Sequence, residues 1–195
     1  MVARLEYYPD EKTRSAVLRL CQQDLYFLGK AILGYKDAEP EPHERMCRFI
    51  TGPGKKKLIV GARGLYKTSF CTVGRIIQLL LQDPNHRILL VMNTLINARK
   101  KGAEILGHFE RNERLRQLVP HYWPQVKRNQ PWSSSAIQIN RPGIFPEPSV
   151  TAAGVDSQLA SGHYTVIGID DPVAAAYDDH KEGGLIIINP EEVEK

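Results

Sequence analysis

Apolar residues recur at three- and four-residue spacing in several stretches of this chain, and that spacing predicts amphipathic helices. The clearest example covers residues 11–33, where Val17, Leu18, Cys21 and Leu25 begin the apolar stripe. Gly34 follows directly and is a typical helix stop. Further helices are predicted over residues 43–50, 67–81, 94–109 and 113–119.

Short apolar runs bounded by turn signals predict strands. They cover residues 57–60, 87–92, 136–139, 149–152, 164–169 and 185–188. The third and fourth runs flank a turn-like segment, RPGIFPEP, and predict an antiparallel edge pair. Alternating strands and helices predict an α/β fold whose mainly parallel central sheet has helices on both faces. Residues 1–54 form the predicted N-terminal helical region, and residues 55–195 the predicted core.

Composition agrees with one compact core, since the chain has 195 residues of which 42% are apolar. No apolar run reaches the roughly 20 residues that span a membrane, and the N-terminus lacks a secretory pattern. Cys21, Cys47 and Cys71 are widely spaced and lack zinc-site spacing, so we interpret them as reduced thiols.

The net charge of +4 does not by itself indicate nucleic-acid binding. Basic residues cluster at 55–57, 99–101, 111–116 and 127–128. Each cluster fits a phosphate contact that weakens with salt, and each fits a solvated surface equally well.

Residues 58–70, LIVGARGLYKTSF, carry the strongest chemical signal. A predicted strand, a Gly-containing loop, Lys-Thr and a predicted helix follow in the order that a phosphate-binding loop requires. Backbone N–H groups and the helix N-terminus would cradle phosphate oxygens. The predicted nucleotide-binding residues are Gly61, Ala62, Arg63, Gly64, Leu65, Tyr66, Lys67, Thr68 and Ser69.

Within this loop, Lys67 is expected to reach the β- and γ-phosphates, and the Thr68 hydroxyl to hold Mg²⁺. Tyr66 occupies the position where the motif G-x-x-x-x-G-K-[ST] has its second glycine. A glycine there lets the backbone approach the phosphate closely, so a tyrosine predicts a different loop geometry. A basic surface turn remains the alternative interpretation.

A second chemical signal, this time acidic, follows about a hundred residues later, in the segment HYTVIGIDDP of residues 163–172. An apolar strand that ends in two acids is typical of nucleotide hydrolases. Asp170 is the predicted Mg²⁺ residue, and Asp171 is predicted to orient the attacking water. Taken alone, the two acids also fit a solvated turn before Pro172.

Four stretches in order resemble the ATPase domain of the large terminase subunits of tailed bacteriophages, the motors that pump DNA into procapsids. They are PEPHERMCRFI (40–50), GARGLYKTSF (61–70), RILLVMNTLINARKKGAEIL (87–106) and VTAAGVDSQLASGHYTVIGIDDPV (150–173). The resemblance implies a P-loop NTPase fold, with ATP and Mg²⁺ as cofactors. It also implies catalytic roles for Lys67, Asp171 and Arg63, the last near the γ-phosphate.

The same resemblance implies double-stranded DNA, a portal protein and a small terminase subunit as partners. It further implies a homo-oligomeric ring in the active state and the cytoplasm of the infected bacterial host as location. Nuclease activity is not expected from this chain. Two alternatives stay open: a non-hydrolysing assembly adaptor that retains the fold, and another P-loop DNA-dependent ATPase.

Several residues have two interpretations each. Asn93 and Thr94 fit a nucleotide sensor or a helix N-cap, and His43 and Glu44 fit the border of an adenine pocket or a helix start. Residues 154–162 fit a moving loop or a connector. Arg128 and Arg141 are the candidates for an arginine that acts on a neighbouring subunit.

Overall fold

The computed structural model describes residues 7–62, 64–122, 130–157 and 162–173. Helix α1 spans Glu11–Gln23 and is N-capped by Asp10, which accepts from the Thr13 N–H. A second helix, α2 (Leu25–Phe27), continues as a wide π-helical segment over Leu28–Leu33. The single helix predicted over residues 11–33 is therefore divided at Asp24. Its carboxylate accepts from the Phe27 N–H at 2.9 Å and so caps the start of a new helix.

The predicted stop at Gly34 is confirmed, because this residue adopts the left-handed conformation with φ of 84°. A short π-helical turn, Pro40–Glu44, leads into α3, Arg45–Thr51. This pair matches the helix predicted over residues 43–50 apart from its earlier start.

The strand predicted over residues 57–60 is wrong. These residues pair with no described strand, and Leu58 and Val60 are 81% and 86% exposed. Burial alternates along them as it would in a strand, with Lys57 and Ile59 partly covered. The apolar run is thus present, but a strand also needs a neighbour to receive its backbone hydrogen bonds.

The helix predicted over residues 67–81 is confirmed. It begins with a wide π-helical segment, Thr68–Gly74, and continues as α4, Arg75–Gln82. Its apolar side chains are buried at helical spacing, as Phe70, Val73, Ile77 and Leu80 show. After strand β1 (Ile88–Met92), helices α5 (Leu95–Arg111) and α6 (Glu113–Leu118) follow as predicted, and a 3₁₀ turn covers Pro120–Tyr122.

The described sheet has four strands in the order β2-β3-β1-β4. The remaining strands are β2 (Ala136–Ile137), β3 (Val150–Gly154) and β4 (Val166–Ile169). Strand β1 is parallel to β3 and to β4, whereas β2 is antiparallel to β3. The antiparallel pair is therefore confirmed. Of its two strands, only β2 lies at an edge of the described sheet, because β3 also pairs with β1. The predicted strand 185–188 lies outside the described residues.

Among the described residues, helical cover differs between the two faces of this sheet. Ile88 and Leu90 belong to the same core cluster as the buried residues of α4 and α5. Cross-strand register puts Ile167 and Ile169 on the opposite face, and they are 60% and 63% exposed. The fold is thus a mixed α/β fold with a mostly parallel sheet, and helices on the second face stay a prediction.

The N-terminal helices and the sheet region share one core. Leu25, Leu28 and Cys47 lie in the same buried cluster as Phe70 and Leu90. At Gly29 the contact is so close that a Cβ atom would lie 2.2 Å from Cε1 of Phe70. Of the helices described, none combines the length and the apolar character that crossing a membrane requires.

Candidate functional site

The predicted phosphate loop connects the extended residues 57–60 to the helix that begins after Tyr66. Gly61, Ala62 and Gly64 are exposed, whereas Leu65 is half-buried. Gly64 has φ of 82°, a conformation that other residues rarely adopt, so its glycine is required by the turn. Arg63 lies outside the described residues.

Lys67 folds back over this loop. Its Nζ donates to the carbonyl oxygens of Gly61 and of Ala62, the latter at 2.9 Å. Among the described residues Lys67 forms no salt bridge. Neutral carbonyls are weaker partners for an ammonium group than phosphate oxygens are. An anion that enters the loop could therefore replace the two carbonyl oxygens as the partner of the Lys67 ammonium.

The helix after the loop contacts the end of β4 through one side-chain hydrogen bond. The Thr72 hydroxyl, in the buried part of the helix, donates to Asp170 Oδ2 at 3.1 Å. Sequence reasoning assigned Thr68 to the metal and missed Thr72. Thr68 and Thr72 are four residues apart, and residues at that spacing lie on the same face of a helix. This spacing was the sequence signal that could have indicated Thr72.

Both acids lie where β4 leaves the sheet at its carboxyl end. The Asp170 N–H donates to the Val91 carbonyl at 2.9 Å, and the Asn93 N–H donates to the Asp171 carbonyl at 3.2 Å. Asp171 is exposed and has φ of 43°. The predicted strand with its two terminal acids is therefore confirmed, at the edge where open α/β sheets bind ligands.

Cys71 lies near Lys67 and Asp170, between the loop and the strand end. Burial first, and then the charge of Asp170, raise the pKa of its thiol to about 12, against a lowering effect of Lys67. A thiol with this pKa is protonated at neutral pH and is a poor nucleophile. Cys71 is thus a free thiol of low reactivity.

A cavity of about 380 Å³ opens beside the loop. Apolar side chains of α3 and of the extended segment line it, and Lys67 closes one side. The lining residues that matter here are Met46, Phe49, Leu58, Val60, Leu65 and Lys67. Its volume falls within the range of ligand-binding pockets, and its lining is mainly apolar with two cationic residues, Arg45 and Lys67.

Tyr66 adopts φ of 50°, although it is not a glycine. This conformation costs a residue with a side chain roughly 1–2 kcal/mol. The ring packs near Tyr35, His43 and Phe70, with centroid distances of 6.0, 5.6 and 6.4 Å. Its hydroxyl donates to Asp37 Oδ2 at 3.3 Å. Burial and the Asp37 carboxylate raise the pKa of the Tyr66 phenol.

Ser69, the last predicted loop residue, takes part through its backbone. Its carbonyl accepts from the Tyr35 hydroxyl at 3.1 Å. Its half-buried side chain and that of Thr68 begin the helix after Lys67. The predicted nucleotide-binding residues that the structure describes, 61–62 and 64–69, therefore belong to one loop and to the start of the helix after it.

The remaining candidates have structural roles. Thr94 is the N-cap of α5 and accepts from the Asn97 N–H at 3.2 Å, and Asn93 accepts from the Thr94 N–H at 2.9 Å. His43 is buried, and its Nδ1 contacts the Glu39 backbone. Arg141 donates to the Glu147 carbonyl at 2.5 Å and lies over the Phe145 ring. Arg128 and residues 158–161 lie outside the described residues.

Basic residues of the predicted clusters differ in their contacts. Lys55, Lys56, Arg99 and Lys100 are exposed. Lys101 instead pairs with Glu104 at 2.9 Å. The Lys57 ammonium donates to the carbonyl of Ile50 at 2.7 Å and to that of Gly52.

The donor set at the strand end can be compared with what Mg²⁺ requires. Within the described ranges, no three side chains of His, Cys, Asp or Glu are arranged to hold a metal ion. Mg²⁺ that arrives with a nucleotide needs few protein ligands, commonly one or two carboxylates together with phosphate oxygens and water. Asp170 with a nearby threonine hydroxyl fits that requirement.

Comparisons of this chain with protein-family models, with curated proteins and with solved structures gave no match.

Proposed function

We propose that this chain is an ATPase domain of the large-terminase type, which binds Mg-ATP at residues 61–69. The observation that carries the proposal is the hydrogen bond between Thr72 and Asp170. It joins the helix that starts at Lys67 to the acidic end of β4. A lysine-bearing loop, a helix N-terminus and a strand-end carboxylate are thereby brought to one place, as P-loop chemistry needs.

In this proposal the loop N–H groups and Lys67 bind the triphosphate, and Lys67 stabilises charge that develops on its oxygens. Asp170 and Thr68 are the residues proposed to hold Mg²⁺, and Thr72 orients Asp170. When bound, Mg²⁺ neutralises charge on the phosphate oxygens. Asp171 orients the attacking water, and Arg63 contacts the γ-phosphate.

The apolar cavity beside Lys67 supports a nucleotide as ligand. A flat base can pack against Phe49 and Leu65 while the phosphates extend toward the Lys67 ammonium. This arrangement replaces His43 and Glu44 by Met46 and Phe49 as neighbours of the base, since His43 is buried and held by Glu39.

Coupling to double-stranded DNA, with the portal and the small terminase subunit as further partners, belongs to the same proposal. So do a homo-oligomeric ring and activity in the cytoplasm of the infected bacterial host. The exposed cations Lys55, Lys56, Arg99 and Lys100 are the described residues best suited to phosphate contacts.

A non-hydrolysing assembly adaptor is the second candidate function. Two observations favour it: residues 57–60 pair with no described strand, and Tyr66 occupies the glycine position of the loop. An extended segment without such pairing positions a phosphate loop less rigidly, and hydrolysis demands tighter positioning than binding does.

We expect Lys67→Ala to weaken Mg-ATP binding about tenfold or more, because a hydrogen bond to a charged group contributes roughly 1.5–3 kcal/mol. Calorimetric titration of the wild type and the variant measures this, with a hydrolysis assay on the same samples. Lys12→Ala, on the exposed face of α1, is the matched control and should bind as the wild type does.

The outcomes separate the two candidates. Binding with turnover supports the ATPase, whereas binding without turnover, in the presence of DNA, supports the adaptor. If the wild type binds no Mg-ATP, the proposed nucleotide site is wrong.

A further inference from the structure

Tyr66 combines a strained backbone with an anchored side chain. Its φ of 50° is a conformation in which glycine is normally found. Its ring lies among Tyr35, His43 and Phe70. Strained residues persist where the surrounding structure holds them in place, so the ring contacts are the evident cause of this loop geometry.

The anchor comes from the N-terminal helical region. Asp37 accepts the Tyr66 hydroxyl at 3.3 Å, and the Tyr35 hydroxyl donates to the Ser69 carbonyl at 3.1 Å. Tyr35 also packs edge-on against Phe70 at 5.1 Å. Residues 35–43 thus hold both sides of the turn at which the loop becomes a helix.

Tyr66 also starts that helix. Its carbonyl accepts from the Phe70 N–H at 2.9 Å, and Lys67 is the next residue. A change in the Tyr66 backbone therefore moves the base of the Lys67 side chain and the first free N–H groups of the helix. These are the groups that would face a phosphate.

We propose that Tyr66 is a positioning residue, whose docked ring holds residues 64–67 of the loop in the conformation that accepts a triphosphate. It replaces the backbone freedom of a glycine with an anchor on the N-terminal region. This inference rests on the proposed ATP site and names a residue that determines its geometry.

Four substitutions distinguish the effect of the Tyr66 ring from the effects of its hydroxyl and of its backbone conformation. Tyr66→Phe keeps the ring, whereas Tyr66→Gly and Tyr66→Asn remove it and tolerate a positive φ. Asp37→Asn weakens only the acceptor of the hydroxyl. If the ring positions the loop, Mg-ATP affinity should fall less than about threefold in Tyr66→Phe and in Asp37→Asn. It should fall about tenfold or more in Tyr66→Gly and Tyr66→Asn.

The opposite order overturns the proposal: glycine and asparagine variants that bind Mg-ATP as well as the wild type, or better. Hydrogen exchange of the amides of residues 64–70, without nucleotide, gives a second readout. We expect about tenfold faster exchange in the Tyr66→Gly variant, with an unchanged rate in α6. Unchanged exchange at residues 64–70 also overturns it.

Failure of the proposed function gives a different result. If the wild type binds no Mg-ATP, the positioning role for a nucleotide falls with the site. Faster exchange in Tyr66→Gly would then identify the ring as an anchor of the fold alone.

Discussion

Two residues of the candidate site, Tyr66 and Asp171, adopt the left-handed backbone conformation without being glycine. For Asp171 this is a mild departure, because aspartate visits that region more readily than most residues. Its carbonyl is held by the Asn93 N–H. For Tyr66 the departure is larger, and its ring contacts offset it. Such outliers cluster at functional sites, and both residues belong to the proposed nucleotide site.

The half-buried side chain of His108 makes the stability of the fold depend on pH. Burial is the main cause that lowers the pKa of its imidazole, with a raising effect of Glu104 and a lowering effect of Arg111. Its Nδ1 lies 3.3 Å from the Asn112 side-chain amide. In the unfolded chain the pKa is about 6.5. As the pH falls below that value, the unfolded state therefore takes up the proton first and stability is lost.

We predict that His108→Gln reduces the loss of unfolding free energy between about pH 7.5 and pH 5.5. Urea unfolding at both pH values measures it. A His108→Gln slope equal to that of the wild type would contradict the role given to burial.

At the scale of elements, helix ends are determined by their polar caps. Asp10, Asp24, Thr94 and Asn112 each accept a backbone N–H at the start of a helix. The break at Asp24 shows the strength of this effect, because the apolar stripe runs through it without interruption. The cap confirms the N-cap interpretation of Thr94, whereas its role as a nucleotide sensor stays a prediction.

Thr94→Ala should lower the free energy of unfolding by about 1 kcal/mol, because the N-cap of α5 is lost. Thr94→Ser, which retains the hydroxyl, should be close to the wild type. Denaturant unfolding measures both variants. If Mg-ATP affinity fell tenfold in Thr94→Ala while stability stayed constant, Thr94 would be a ligand contact and not a cap.

At the scale of the whole molecule, the N-terminal helices and the sheet region depend on each other. Phe70, which is fully buried, packs against Tyr26 and Tyr35 from the N-terminal region. Gly29 lies against the same ring and has no room for a side chain. The region predicted over residues 1–54 therefore completes the core of the region that follows it.

Gly29→Ala tests that dependence, because its new methyl group would displace Phe70 and the Tyr35 ring, 2.2 and 2.9 Å away. We predict a loss of roughly 1–3 kcal/mol in unfolding free energy, as overpacking of a core causes. Gly107→Ala in α5 is the matched control. There the methyl group meets only the movable Arg111 guanidinium, so helix propensity should stabilise the protein by roughly 0.5–1 kcal/mol.

Equal effects of the two glycine substitutions would contradict the close packing of Gly29 against Phe70. Loss of Mg-ATP binding in Gly29→Ala at a temperature where it stays folded would extend the effect to the loop that Phe70 supports.

Features that depend on neighbouring residues could be predicted from the amino-acid sequence alone. Apolar spacing predicted the helix of residues 67–81 and the strand β1, and local chemistry predicted the stop at Gly34. The composition of the two motifs predicted a loop with Lys67 and a strand that ends in Asp170 and Asp171. These patterns repeat within a few residues, so they can be recognised without knowledge of the fold.

Contacts between distant groups became known only from the folded structure. Residues 57–60 have the pattern of a strand, yet no described strand receives their hydrogen bonds. Asp170 accepts a hydrogen bond from Thr72, and this contact depends on how the helix is rotated against the sheet. Tyr66 departs from the sequence motif, and the residues that hold it, Asp37 and Tyr35, lie about thirty positions earlier. Pairing and packing between such distant positions are decided by the whole core, and no local pattern encodes them.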